Sequence, residues 1–156
     1  MPVPDVVVKM TQPLTVAEAT GVAPGFGPVL NKTFQALVPR VLEHLQRVDA
    51  RPGIMVGWYE EPRDDGSLVA HVGFEIDDQA VASGDGVSVK TLPVVEVASV
   101  VHHGSMKDVV PVYEALVQWI EDSGYRLAGR SRELYLEFHE DDHSRNVTEL
   151  QIPIAR

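Results

Sequence analysis

The sequence predicts an α+β fold made of two copies of one strand-helix-strand-strand unit, on three observations. Short runs alternate apolar and polar residues, two longer segments carry apolar residues at helical spacing, and the order of these elements repeats at an offset of roughly 80 residues. With 156 residues, 44% of them hydrophobic, the chain has the material for the core of one domain.

Val6-Val7-Val8-Lys9 reads as the first strand and Leu14 to Val22 as the second. The cluster Pro24-Gly25-Phe26-Gly27-Pro28 breaks the chain, and Leu30, Phe34, Leu37, Val38, Val41, Leu42, Leu45 and Val48 then mark one helix. Pro39 lies inside that pattern and predicts a kink or a restart, because it removes a backbone donor and crowds the preceding turn. Ile54 to Glu60 and Leu68 to Ile76 flank the turn residues Pro62 to Gly66 and form a hairpin. Asp77 to Gly86 is a polar connection. The order then recurs, with strands at Val87 to Lys90 and Val94 to Val101 and a helix carrying Val109, Tyr113, Leu116, Val117 and Ile120 on one face. Gly124 stops that helix, and strands at Arg132 to Phe138 and Val147 to Ile154 close the chain.

Laid over one another, the halves match in detail. Val6-Val-Val-Lys9 falls on Val87-Ser-Val-Lys90, Phe34 and Leu37 fall on Tyr113 and Leu116, and Val72, Phe74 and Ile76 fall on Leu150, Ile152 and Ile154. Repeat one covers about residues 1–78 and repeat two about 85–156 of a single domain spanning 1–156. One such unit is too small to bury both its helix face and its sheet face, so two copies sharing an antiparallel sheet are expected. The helices would cover one face, leaving a ligand cleft on the concave face between the repeats.

Composition excludes several classes of function. With 13 Lys+Arg against 23 Asp+Glu the formal net charge is −10. Such a chain, whose basic residues are scattered, is repelled by phosphate backbones, so no direct nucleic-acid binding is expected. The same field favours cationic small molecules or a basic protein partner. The absence of cysteine removes disulfides, thiolate nucleophiles and Cys-based metal sites. No run approaches the roughly 18 apolar residues of a membrane span, and the start MPVPDVVVKMTQ lacks the form of a secretion signal. The expectation is a soluble, cytoplasmic protein with no membrane contact.

Two motifs mislead. His139-Glu140-Asp141-Asp142-His143 matches H-E-x-x-H, but that zinc chemistry needs a helix, whereas this segment lies between two strands with turn-forming Asp141 and Asp142. A solvated hairpin loop is expected, and no metal. Gly21, Gly25 and Gly27 make no dinucleotide fingerprint and no Walker sequence is present, so no nucleotide cofactor is indicated.

The second half carries a resemblance. His102-His103-Gly104-Ser105-Met106, Tyr113-Glu-Ala-Leu-Val-Gln-Trp-Ile120, Arg132-Glu-Leu-Tyr-Leu136 and Thr148-Glu-Leu-Gln-Ile-Pro-Ile154 resemble the GyrI-like small-molecule-binding domain family. That family includes gyrase-inhibitory proteins, stand-alone domains and the effector-binding halves of multidrug-responsive bacterial transcription regulators, and its fold is two strand-helix-strand-strand repeats. The family's Gly-Pro-aromatic turn is Gly104-Ser105-Met106 here, and the regulators' DNA-binding helices have no counterpart. The resemblance implies a stand-alone member that binds bulky, lipophilic and often cationic multidrug-type compounds around a deep acidic residue, for sensing or sequestration. Glu133 is the matching position.

By strand parity, Glu133, Tyr135 and Glu137 point one way and Leu134, Leu136 and Phe138 the other, and the apolar trio is expected beneath the helices. Glu133 and Tyr135 would then face the concave side. A carboxylate among aromatic rings is costly to ionise alone, so a delocalised cation supplies the missing charge while the rings supply stacking and cation–π attraction. Alternating Glu and Tyr also suit an ordinary solvated sheet face, and it is the resemblance that selects the pocket. Trp58, Tyr59, Phe26, Phe34, Pro24, Met106, His103 and Tyr113 are further candidates. Phe34 and Tyr113 equally suit core positions, Trp119 reads as structural, and only one of Trp58 and Tyr59 can face a cleft. His103 belongs at the pocket mouth or is a structural strand-end histidine.

Two other functions are open. Some GyrI-like proteins hydrolyse cyclopropane-bearing DNA-alkylating compounds, which implies a hydrolase with Glu133 as acid/base and Tyr135 assisting. Gyrase inhibitors of the family imply instead that the acidic surface engages a basic protein partner, gyrase or a regulator.

Overall fold

The computed structural model of the chain describes residues 5–27, 29–77 and 81–156. Pro28 of the Pro/Gly cluster and residues 78–80 of the polar connection lie outside the described residues. The fold is α+β, with the predicted strand-helix-strand-strand order in both halves. Two compact units are present: Pro13–Pro93, and Met1–Gln12 together with Val94–Arg156.

The first unit holds β2 (Leu14–Ala23), α1 (Leu30–Arg47), β3 (Met55–Tyr59), β4 (Leu68–Glu75) and β5 (Ser88–Leu92). Its strands pair antiparallel in the order β5-β2-β4-β3. Alternation along β2 sends Ala17 and Ala19 to the helix side, where they meet Leu37, Val41 and Leu45 of α1 and Val72 and Ile76. At Gly21 a Cβ would lie 3.3 Å from Thr33 and 3.4 Å from Leu37, so the missing side chain is what lets α1 sit close to β2. Helix α1 runs unbroken through Pro39, so of the expected kink or restart the restart does not occur. Pro39 and Gln35, whose carbonyl loses its donor, are both exposed, so the freed carbonyl is not buried against the sheet. The helix stops where Asp49 takes a φ of 56° and the Ala50 N–H bonds back to the Leu45 carbonyl at 2.8 Å.

The second unit holds β1 (Val7–Met10), β6 (Glu96–His103), α2 (Val110–Asp122), β7 (Arg126–Leu127), β8 (Arg132–Glu137) and β9 (Val147–Ala155). Its antiparallel order is β1-β6-β9-β8, with the short β7 also on β9. Pro111 opens α2, where a missing N–H costs nothing, and Gly124 at a φ of 83° ends it. Leu116 and Ile120 pack on Ala98, Val100, Leu150, Ile152 and Ile154. Leu116, Ile120 and Leu150 are fully buried, and each contributes about 1.5–3 kcal/mol.

The register supports the internal repeat. Val72 pairs with Ala19 where Leu150 pairs with Val100, and Val89 pairs with Ala17 where Val8 pairs with Ala98. One feature departs from a simple tandem reading: the outermost strands are exchanged. β1, first in the chain, pairs with β6, and β5, which precedes β6, pairs with β2. The Thr11 N–H bonds the Val95 carbonyl at 2.9 Å and the Thr11 hydroxyl accepts the Val95 N–H at 2.9 Å, tying β1 to the start of β6.

Candidate functional site

Glu133 lies on β8 opposite Leu150, and paired residues share a face, so it stands on the side covered by α2. The predicted parity of β8 holds for Glu133 and Tyr135 but breaks at the bulge between Tyr135 and Glu137, which sets Glu137, opposite Val147, on the other face, and the two faces are reversed. Leu136 is 41% and Phe138 58% exposed instead of packing beneath the helix. The physical reason is that α2 supplies a polar partner. Tyr113 donates its hydroxyl to Glu133 Oε2 at 2.9 Å, and Tyr135, two residues along β8 on the same face, donates to Oε1 at 2.7 Å.

Each carboxylate oxygen thus holds a phenol hydroxyl, and Glu133 is only 4% exposed. Burial, followed by the charge of Glu133 beside it, pushes the Tyr113 hydroxyl well above the usual phenol range. Tyr113 therefore keeps its proton and donates it to Glu133. The arrangement is a buried acid whose two oxygens are each held by the hydroxyl of a tyrosine.

The other predicted site residues fall into separate groups. In the first unit Phe26, Phe34 and Tyr59 meet on the helix side, Tyr59 stacking with Phe34 at 6.4 Å and meeting Phe26 edge-on at 5.6 Å. Trp58 points to the opposite face, where it stacks on His71 at 5.0 Å. Pro24 is exposed at the end of β2 and lines a surface groove of about 400 Å³ between β2 and α1. In the second unit His103 is exposed at the end of β6, and Met106 is half-buried in the single 3₁₀ turn before α2. The H-E-x-x-H segment is a loop with a 3₁₀ turn at His143–Arg145, and Asp142 caps that turn by accepting the Ser144 N–H. Among the described residues no three His, Asp or Glu side chains are placed to hold a metal ion.

Two buried polar clusters escaped the sequence reading. On the helix-free face of the first unit His71 donates to Glu18 at 3.0 Å and to Glu60 at 2.8 Å, while Lys90 reaches Glu18 at 2.8 Å. Burial opposes charge on both groups, but their mutual hydrogen bonds outweigh it, raising His71 and lowering Glu18 from their ordinary values. In the second unit Lys9 reaches Glu149 at 2.7 Å, and Ser99 and Gln151 each donate to the same carboxylate at 2.8 Å. Burial again opposes charge, and these bonds hold Glu149 below its ordinary value. The available signal was a charged residue at an every-second position within an otherwise apolar strand.

The sequence matches the GyrI-like small molecule binding domain over residues 5–155. The chain belongs to the GyrI-like small-molecule-binding domain family. Solved structures share the fold at low identity. The EcmrR C-terminal domain superposes with a TM-score of 0.83 at 18% identity, covering 99% of both chains. In the EcmrR–DNA complex the TM-score is 0.81 at 18% identity, and 99% of this chain spans 58% of that protein. SAV2435 bound to tetraphenylphosphonium gives 0.64 at 17% identity, over 97% of this chain and 94% of that one. A hydrolase encoded by lin2189 from Listeria innocua gives 0.63 at 14% identity, over 99% and 93%. Comparison with curated protein sequences returns no match. No helix among the described residues is long and apolar enough to cross a membrane.

Proposed function

We propose that this GyrI-like domain binds lipophilic organic cations at Glu133, to sense or sequester them, and releases them unchanged. The observation that carries the reading is the buried Glu133 carboxylate held between the hydroxyls of Tyr113 and Tyr135. Both oxygens already accept a hydrogen bond, so the group gives a guest charge more than it gives hydrogen bonding. A cation whose charge is spread over aromatic carbon needs no hydrogen bond, gains cation–π contact with the phenol rings, and loses little hydration on entry. SAV2435, a protein of the same fold, is bound to such a cation. The net charge of −10 favours cationic guests at long range and supports a role without direct contact to nucleic acid.

A thermal-shift panel of lipophilic cations beside neutral compounds of equal size tests this reading. Cations are expected to raise the melting temperature, by an amount that grows with the logarithm of ligand concentration, while the neutral set does not. Equal shifts from both sets would remove the role assigned to the carboxylate.

A second reading rests on the 2.7 Å bond between Tyr135 and Glu133. A paired phenol and carboxylate is an acid/base couple, and the Listeria innocua neighbour is a hydrolase. Incubation with a strained cyclopropane-bearing compound separates the two: ring-opened product that disappears in Glu133→Gln supports catalysis, and unchanged compound supports binding alone.

A further inference from the structure

Strand β2 is paired with β4 over Val16–Ala23, but with β5 only over Leu14–Glu18. The Ile76 N–H bonds the Thr15 carbonyl, which turns the main-chain groups of every second residue from Thr15 toward β4 and those of Val16, Glu18, Thr20 and Val22 toward the other side. Beyond Glu18 no described strand pairs with that other side, so the outward N–H and C=O groups of Thr20 and Val22 lie on an open sheet edge. The groove of about 400 Å³ lies along this open edge, lined by Thr20 and Val22 on one side and by Lys32, Thr33, Ala36 and Arg40 of α1 on the other.

Its chemistry differs from the rest of the chain. In a protein with net charge −10, the groove contains two cations and no acid. Neither Lys32 nor Arg40 forms an ion pair with a described residue. The small Ala36 between them is exposed, which leaves room beside the helix. Lys32 and Arg40 are eight residues apart on α1, about 12 Å of helix rise. Four residues of an extended strand cover about 13 Å, and residues four apart in a strand point the same way.

We propose that this groove takes an extended acidic peptide segment of a partner protein, which adds as a strand to Thr20–Val22 and sets acidic side chains four residues apart against Lys32 and Arg40. Main-chain hydrogen bonds to the open edge supply affinity and the two cations supply selectivity, as in other strand-addition interfaces. The site is independent of Glu133.

An NMR titration of the whole chain with the capped peptide acetyl-Glu-Val-Thr-Val-Glu-amide tests it. The Thr20 and Val22 amides are expected to shift and to gain exchange protection. Binding should weaken at least tenfold in the exposed double variant Lys32→Glu/Arg40→Glu, and at least tenfold when alternate peptide nitrogens are methylated. Glu133→Gln should leave it unchanged. No shift at Thr20 and Val22, equal affinity for the methylated peptide, or equal affinity for the Lys-Val-Thr-Val-Lys analogue would overturn the proposal. So would protection of these amides that grows with protein concentration alone, which would assign the groove to a second copy of the chain.

Discussion

The two units carry the same three positions with different chemistry. Leu150, opposite Glu133, repeats Val72, opposite Gly57, so Glu133 and Gly57 are equivalent places in the repeat. By the same register Tyr135, opposite Thr148, matches Tyr59, opposite Ala70, and Tyr113 of α2 matches Phe34 of α1. Tyr113–Glu133–Tyr135 is therefore a charged, hydrogen-bonded trio, and Phe34–Gly57–Tyr59 is an aromatic stack with no acid and one hydroxyl fewer. The repeat holds two equivalent places beneath a helix, and one of them carries an acid. The acid and its added hydroxyl occur together, as expected if a buried carboxylate requires a donor.

The sharpest way to break this comparison is to move the acid. Gly57→Glu would bury a carboxylate beneath Phe34, which has no hydroxyl to offer, and is expected to cost about 3 kcal/mol or more in urea unfolding. Adding Phe34→Tyr should recover about 1.5 kcal/mol, the size of a hydrogen bond to a charged group. A Gly57→Glu protein as stable as the parent would show that the two places are not equivalent.

Tyr113→Phe makes the converse change, giving the second unit the helix residue of the first. It removes one of the two phenol donors of Glu133 and is expected to cost about 1–3 kcal/mol by the same measurement. A change below about 0.5 kcal/mol would mean that the bond is not formed in solution.

The smallest effect separates the polar clusters. Lys90 and Lys9 occupy equivalent positions, but the carboxylate sits on β2 as Glu18 in one unit and on β9 as Glu149 in the other. Only the first cluster contains an imidazole. His71 is raised above its ordinary value of 6.5, so its contribution is complete below 6.5 and is lost as pH rises through the folded value. Glu18 and Glu149 are lowered from 4.5, so their contributions are complete above 4.5 and are lost as pH falls through the folded values. Unfolding followed against pH should show an alkaline decline in the parent that His71→Gln abolishes, with the acid decline retained in both. An unchanged alkaline limb would place the cause elsewhere.

Much of the fold was legible because both helices and most strands carry their own period. The Ala17 and Ala19 face, the α1 stripe and the Leu150-Ile152-Ile154 alternation are local signals of burial. The exchange of β1 and β5 was not legible. Val-Val-Val-Lys and Val-Ser-Val-Lys carry the same pattern, and partner choice between them is a long-range property. At the candidate site, parity grouped Glu133 with Tyr135 correctly, but apolarity was a poor guide to which face turns inward. Leu136 and Phe138 were expected in the core, whereas the helix side took the acid because Tyr113 could bond it. Tyr113 read as one more member of an apolar stripe, since periodicity registers its ring and not its hydroxyl. The glutamates and histidine of the buried clusters were hidden for a related reason: a strand's alternation does not say which polar residues find partners.

The central claim is that the Glu133 charge, not apolar shape, selects the guest. Calorimetric titration of tetraphenylphosphonium into the parent and into Glu133→Gln compares two proteins that differ at this position by a charge and almost nothing in volume. The account predicts at least tenfold weaker binding to the glutamine variant, about 1.4 kcal/mol. Equal dissociation constants would contradict it.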